Sequence, residues 1–229
     1  MIKPDEKQLS EALSVFRQIG EVSTFENLCR FSDEQKKEYD RLLKELRDIN
    51  GSRRSDQEKG RALENIVSHL LKVSGNIFVV TRNLRTTTNE LDQMVELNQT
   101  GKLLLSHGLI DKLFGAFIGE CKNYNKRINV TYVGKFSSLL LTNQVKLGIL
   151  FSYKGITGTN WSEASGLIKK FYLHKEKQEE RYCIIDFSLK EFEEVQQGNN
   201  LLNIVHNKII SLQFDTDFTR FLSKHPAEN

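Results

Sequence analysis

Apolar positions recur along this chain at two different periods, and the alternation between them predicts an α/β protein. Leu9, Ala12, Leu13, Phe16 and Ile19 fall at helical spacing, and so do Tyr39, Leu42, Leu43, Leu46 and Ile49, after the cap signal Ser32-Asp33. The polar stretch NGSRRSDQ that follows carries Asn, Gly and Ser, which stop a helix. A boundary there divides the chain into a helical extension, residues 1–55, and a main domain, residues 56–229.

The main domain opens with Leu63, Ile66, Val67, Leu70 and Leu71 on one face of a helix that Gly75 ends. Strands are predicted at Ile77 to Thr81, Glu90 to Leu97 and Phe114 to Lys122, the last two joined by a connection containing NQTGK and SHGL. VTYVGKFSSLLLT has helical spacing, and VKLGILFS is a near-continuous apolar run suited to a strand covered on both faces. The remainder alternates again: NWSEASGLIKKFYLHK as helix, RYCIIDF as strand, SLKEFEEVQQ as a helix with Ser188 and Glu191 at capping-box spacing, and NLLNIVHNKIISLQF as a last helix. Helix followed by buried strand implies a crossover, so the order of elements is that of an α/β fold.

Composition changes this picture little. Hydrophobic residues at 38% and charged residues at 28% suit a folded chain, and a net charge of +3 is too small to identify a nucleic-acid partner. The first residues, MIKPDEKQLSEALSVF, have no apolar signal core, and no window approaches the ~18 apolar residues that span a bilayer. Cys29, Cys121 and Cys183 are odd in number and lack C-x-x-C spacing, which points to reduced thiols and a cytoplasmic protein without membrane association. The five histidines lack metal-ligand spacing, and no phosphate loop of the G-x-x-x-x-G-K-[ST] type occurs, which argues against ATP hydrolysis.

The chemistry lies in charges that interrupt apolar strands. Period-two alternation puts Ile118, Glu120 and Lys122 on one side of their strand and Glu90, Asp92, Met94 and Glu96 on one side of theirs. If the strands are neighbours, Asp92 and Glu120 converge. Two close carboxylates resist ionising together unless a cation sits between them, and Mg²⁺ takes one or two carboxylates with water and substrate phosphate completing its shell. Taken singly, each residue also has a plain reading: Glu120 with Lys122 as a strand-edge ion pair, Glu64 as a solvated helix residue, and Asp92 beside Glu90 and Glu96 as an acidic edge that deters sheet pairing.

The order Glu64, Asp92, then Glu120-x-Lys122, with the strings KGRALENIVSHLL, TNELDQMVEL and GECKN, resembles the restriction-endonuclease-like superfamily of PD-(D/E)xK nucleases. Its Mrr-like and Holliday-junction-resolvase-like branches are the most similar, and the resemblance covers residues 58 to 158 or so, including GILFSYKGITG. It implies a restriction-endonuclease-like mixed central sheet flanked by helices, with Asp92, Glu120 and Glu64 as metal-site acids for Mg²⁺ (or Mn²⁺) and Lys122 as the catalytic lysine in phosphodiester hydrolysis of DNA. Leu91 stands where many members carry proline or glycine, which leaves Glu90 as a further ligand candidate. Arg82, Arg85, Asn123, Lys126, Arg127, Lys135 and Lys154 form the expected DNA-binding set. Defence against foreign DNA as a subunit or effector, with a homodimer or a partner subunit supplying recognition or motor function, is the role expected. Junction repair, or a non-catalytic module on the same fold, is the alternative.

Overall fold

A computed structural model describes residues 10–11, 14–15, 29–85, 90–158 and 163–214. The expected first helix, carried by Leu9, Ala12, Leu13, Phe16 and Ile19, lies outside the described residues. Helix α1 (Asp33–Asn50) starts at Ser32, whose side chain accepts from the Gln35 backbone while Gln35 answers in a reciprocal capping box, and it buries Tyr39, Leu42, Leu43 and Leu46. Helix α2 (Asp56–Val73) repeats the device with Ser55 and Glu58 and buries a wider stripe that includes Leu63, Ile66, Val67, Leu70 and Leu71. The polar residues between them thus join two helices, each with its own start signal.

Among the described residues five strands follow, in spatial order equal to sequence order: β1 (Phe78–Arg85), β2 (Glu90–Leu97), β3 (Ala116–Lys122), β4 (Leu147–Ser152) and β5 (Cys183–Phe187). The first two pairings are antiparallel and the last two parallel. Parallel neighbours need a crossover, supplied by α4 (Val130–Thr142) between β3 and β4 and by α5 (Ala164–Leu173) between β4 and β5. After β5 come α6 (Leu189–Gln196) and α7 (Leu201–Gln213). The α/β order that the apolar pattern implied is present, as a mixed sheet flanked by helices.

Two differences are instructive. The connection between β2 and β3 contains a helix, α3 (Gln99–Ser106), hidden in the sequence by Gly101. A Cβ at Gly101 would stand 2.6 Å from Leu97 Cδ2 and 2.7 Å from the Ile77 carbonyl, so glycine is the residue that lets α3 lie against the sheet. The strand expected from Phe114 begins at Ala116, because Lys112–Gly115 forms a 3-10 turn capped by Asp111.

Alternate residues of the central strands feed two cores. Phe117, Ile149, Phe151, Ile185 and Phe187 pack with α1, α2, α6 and α7. Ile118, Leu150 and Ile184 pack with Val133, Phe136 and Leu140 of α4 and Ala164 and Ile168 of α5. The first core is continuous through α1: the Tyr39 hydroxyl donates to the Phe192 carbonyl at 2.9 Å, and Arg47 pairs with Glu193 at 2.8 Å. No helix of the described residues is long and apolar enough to cross a membrane.

Candidate functional site

The site forms where β2 parts from β3 and skips one pairing with β1. Its ladder with β3 runs from Glu96 opposite Ala116 to Gln93 opposite Gly119, and its ladder with β1 omits the position between Arg82–Gln93 and Leu84–Leu91. Asp92 occupies that gap, facing Asn83, whose backbone turns left-handed at φ 50°. Asparagine tolerates this region better than most residues. The released strand end still needs a hydrogen-bond acceptor, and the side chain provides it: the Cys121 N–H donates to Asp92 Oδ2 at 2.8 Å.

One residue either side of Cys121, the strand turns its charges toward Asp92. Lys122 Nζ lies 3.3 Å from Asp92 Oδ2 and 2.6 Å from Glu120 Oε1, so one ammonium bridges two carboxylates that come from different strands. All three side chains are largely covered, at 20% exposure for Asp92, 16% for Glu120 and 22% for Lys122. Glu120 Oε2 is buried and has no hydrogen-bond partner. Burial pushes the Glu120 carboxyl above its ordinary range and Asp92 adds to the rise, against the pull of Lys122. Burial disfavours the Lys122 ammonium too, but Glu120 and Asp92 outweigh it and hold the lysine above its usual range. The group at neutral pH is therefore a fixed cation rather than a proton acceptor.

Glu64 sits on α2 and accepts from Arg82 Nη2 at 3.1 Å. Its charge acts on the buried Cys121 thiol together with those of Asp92 and Glu120, after burial itself, to raise that thiol well above its ordinary value. Yet Glu64, Asp92 and Glu120 do not close into one cluster: among the described residues no group of three or more His, Cys, Asp or Glu could hold a metal ion. Two acids are brought together, and the third is held near by an arginine.

The donor set at this point suits a hard divalent cation as a two-carboxylate site. Mg²⁺ is commonly held by one or two carboxylates with the rest of its shell left to water and phosphate. The orphaned Glu120 Oε2 is an oxygen in want of a positive partner. Asp92 and Glu120 would hold the ion.

The expected DNA-contact residues divide into four groups. Lys126, Arg127, Lys135 and Lys154 are exposed around the loops at the carboxyl ends of β3 and β4, with the Lys135 ammonium 5.6 Å from the centre of the Tyr132 ring. Arg82 is committed to Glu64. Asn123 departs from its expected role: it is 5% exposed, its Nδ2 donates to the Lys59 carbonyl at 2.7 Å, and it ties β3 to α2 instead of facing solvent. The side chains of Arg85 and Glu90, expected as a DNA contact and a spare ligand, lie outside the described residues.

Other residues emerge only from the structure. Lys59, in the first turns of α2, is 5% exposed and donates from Nζ to Asn125 Oδ1 at 2.7 Å. Tyr124 and Tyr132 share a 2.6 Å hydrogen bond beside Lys122, and burial together with that bond lifts the Tyr124 phenol to about 12. No sequence signal singles out Lys59, since a lysine in a first helical turn is ordinarily solvated. Set beside known protein families, characterised proteins and solved structures, the chain has no match.

Proposed function

We propose that this protein is a Mg²⁺-dependent DNA endonuclease that hydrolyses phosphodiester bonds on a restriction-endonuclease-like fold. The observation that carries the reading is the bridge of Lys122 between Asp92 and Glu120, at 3.3 and 2.6 Å. An acid from each of two antiparallel strands meets one lysine at the point where the sheet ladder opens. The order of elements agrees with it: a helix bearing Glu64, an antiparallel hairpin, a strand ending in Glu-x-Lys, a crossover helix and a parallel strand.

When bound by Asp92 and Glu120, Mg²⁺ (or Mn²⁺) would supply Lewis-acid charge to the phosphate and lower the pKa of the attacking water. Lys122 keeps its proton beside the two acids, so it donates N–H bonds to a phosphate oxygen and stabilises the charge that builds there. The same ammonium fixes the position of the water. Asp92 holds the Cys121 N–H and so ties the end of β3 to β2, and its remaining acceptor capacity would be left for the ion. Arg82 restrains Glu64 in an outer, supporting position. Exposed Lys126, Arg127, Lys135 and Lys154 draw the DNA backbone toward this end of the sheet. Defence against foreign DNA, as a subunit or effector, is the role proposed.

The test is cleavage of supercoiled plasmid and of branched DNA with Mg²⁺, with Mn²⁺ and with chelator, by wild type, Lys122→Ala and Asp92→Ala. The expected result is metal-dependent nicking by wild type and a loss of at least about 10²-fold in either variant, comparable to deleting one charge-stabilising donor. Equal activity in all three proteins removes the assignment. DNA binding without cleavage by wild type would identify a non-catalytic module on the same fold.

A further inference from the structure

The Lys59 ammonium poses an energetic problem in the protein as it stands. A lysine that is 5% exposed normally pairs with an anion, because leaving its charge unmatched in the interior is costly. Here its partner is a neutral amide oxygen, Asn125 Oδ1, and among the described residues it forms no ion pair with a carboxylate. An ammonium has three donors, so Asn125 satisfies only part of its capacity.

A second lysine converges on the same residue. Lys154 Nζ donates to the Asn125 backbone carbonyl at 2.6 Å, again a neutral acceptor. Asn125 itself is exposed, and Lys126 and Arg127 follow it, both exposed. The loop is not free to drift from this arrangement. Ile128 N–H donates to the Gly155 carbonyl at 2.9 Å and Thr157 N–H to the Ile128 carbonyl at 2.8 Å, which stitches the segment after β3 to the segment after β4. Asn123, bonded to the Lys59 carbonyl, fixes the other end. Two lysines, neither ion-paired with a carboxylate among the described residues, thus meet at one surface asparagine in a loop tied at both ends.

We propose that Lys59, Asn125 and Lys154 form a phosphate-anchoring subsite for the DNA backbone. The identity of the ligand rests on the nuclease reading above. Asn125 stands three residues beyond Lys122, so their Cα atoms are at most about 11 Å apart. Phosphates of one strand recur every ~3.4 Å along the duplex axis, so the anchored phosphate lies within about three nucleotides of the cleaved bond. The phosphate oxygens accept the spare donors of both lysines, and the Asn125 amide adds a neutral contact that holds the register. The subsite reads no base. It sets where along the strand the Lys122 ammonium meets the backbone.

The experiment measures binding of a short blunt DNA duplex, with chelator present so that no strand is cut, over a salt series. Wild type, Lys154→Met, Lys59→Met and the double variant are compared, each checked for cooperative thermal unfolding. Each lysine lost should lower the slope of log K against log salt by about 0.9, and the double variant by about 1.8, with affinity falling equally for unrelated sequences. Lys154→Met, on the surface, carries the test if Lys59→Met fails to fold. An unchanged slope in Lys154→Met and in any folded double variant overturns the subsite while leaving metal-dependent cleavage untouched. Lysine-dependent slopes in a wild type that cuts nothing would uphold the subsite and overturn the nuclease reading. Failure of wild type to bind duplex DNA overturns the subsite.

Discussion

Two buried glutamates in this protein each face a lysine, and their fates differ. Glu191 accepts from Lys208 at 2.8 Å, and one of its oxygens also accepts the Ser188 N–H and hydroxyl, both at 2.7 Å, as the capping box of α6. Glu120 accepts from Lys122 at 2.6 Å but leaves Oε2 buried without a partner. Burial alone would raise both carboxyls. At Glu191 the ammonium and the serine bonds reverse the effect and bring it below the ordinary range, whereas at Glu120 burial and the nearby Asp92 prevail. The first arrangement is complete as it stands and builds structure. The second is short of positive charge, which is the condition expected of a site that takes a cation from outside.

Removing the acid of the complete pair should have the largest effect on stability. Glu191→Ala takes from the Lys208 ammonium its paired carboxylate, leaving its hydrogen bond to the Asp186 carbonyl, and removes the Glu191 half of the capping box of α6, so a loss of about 3–5 kcal/mol is expected in denaturant titration, unaffected by Mg²⁺. Lys122→Met should cost about 2–3 kcal/mol without metal, because two carboxylates are then left facing each other. Here Mg²⁺ should restore most of the loss, since an ion that binds the folded state alone stabilises it. A Lys122→Met protein whose melting temperature ignores Mg²⁺ would erase the distinction between the two glutamates.

A smaller effect comes from Asp186, whose Oδ1 is also buried without a partner. Burial lifts its carboxyl from 3.8 to about 6, with Glu191 adding to the rise against Lys208, the Ile156 N–H and Arg127. The fold therefore holds a proton that the unfolded chain releases between these values, and stability falls as pH rises from about 4 through 6. Asp186→Asn removes that loss and should stabilise the protein by about 1–3 kcal/mol at pH 7. The gain should vanish near pH 4, which thermal melts across this range would reveal. A gain independent of pH would trace instead to packing.

The sequence disclosed the site in proportion to how local each cause is. Asp92, Glu120 and Lys122 were legible because alternation along a strand is a near-neighbour property, and charges within apolar runs stand out. The capping box at Ser188 and Glu191 was legible for the same reason. Lys59 was not: its burial is imposed by the loop after β3, more than sixty positions away in the chain. Asn123 misled in the opposite sense, since polarity beside a lysine cluster reads as surface while the fold uses it as an internal tie. Helix α3 was obscured by Gly101, a poor helix former kept by close approach to Leu97 and Ile77.

The register of the parallel strands sets Leu150 between Glu120 and Asp186, opposite both and on the same face. Two strand widths place the backbones of those acids roughly 10 Å apart, and each acid answers to its own charges, Glu120 to Lys122 and Asp92, Asp186 to Lys208, Glu191 and Arg127. The leucine between them offers neither a charge nor a hydrogen-bonding group, so no ion pair or hydrogen bond runs from one acid to the other through that position. A charged side chain at that position would wire the two together, and filling one site would be felt at the other.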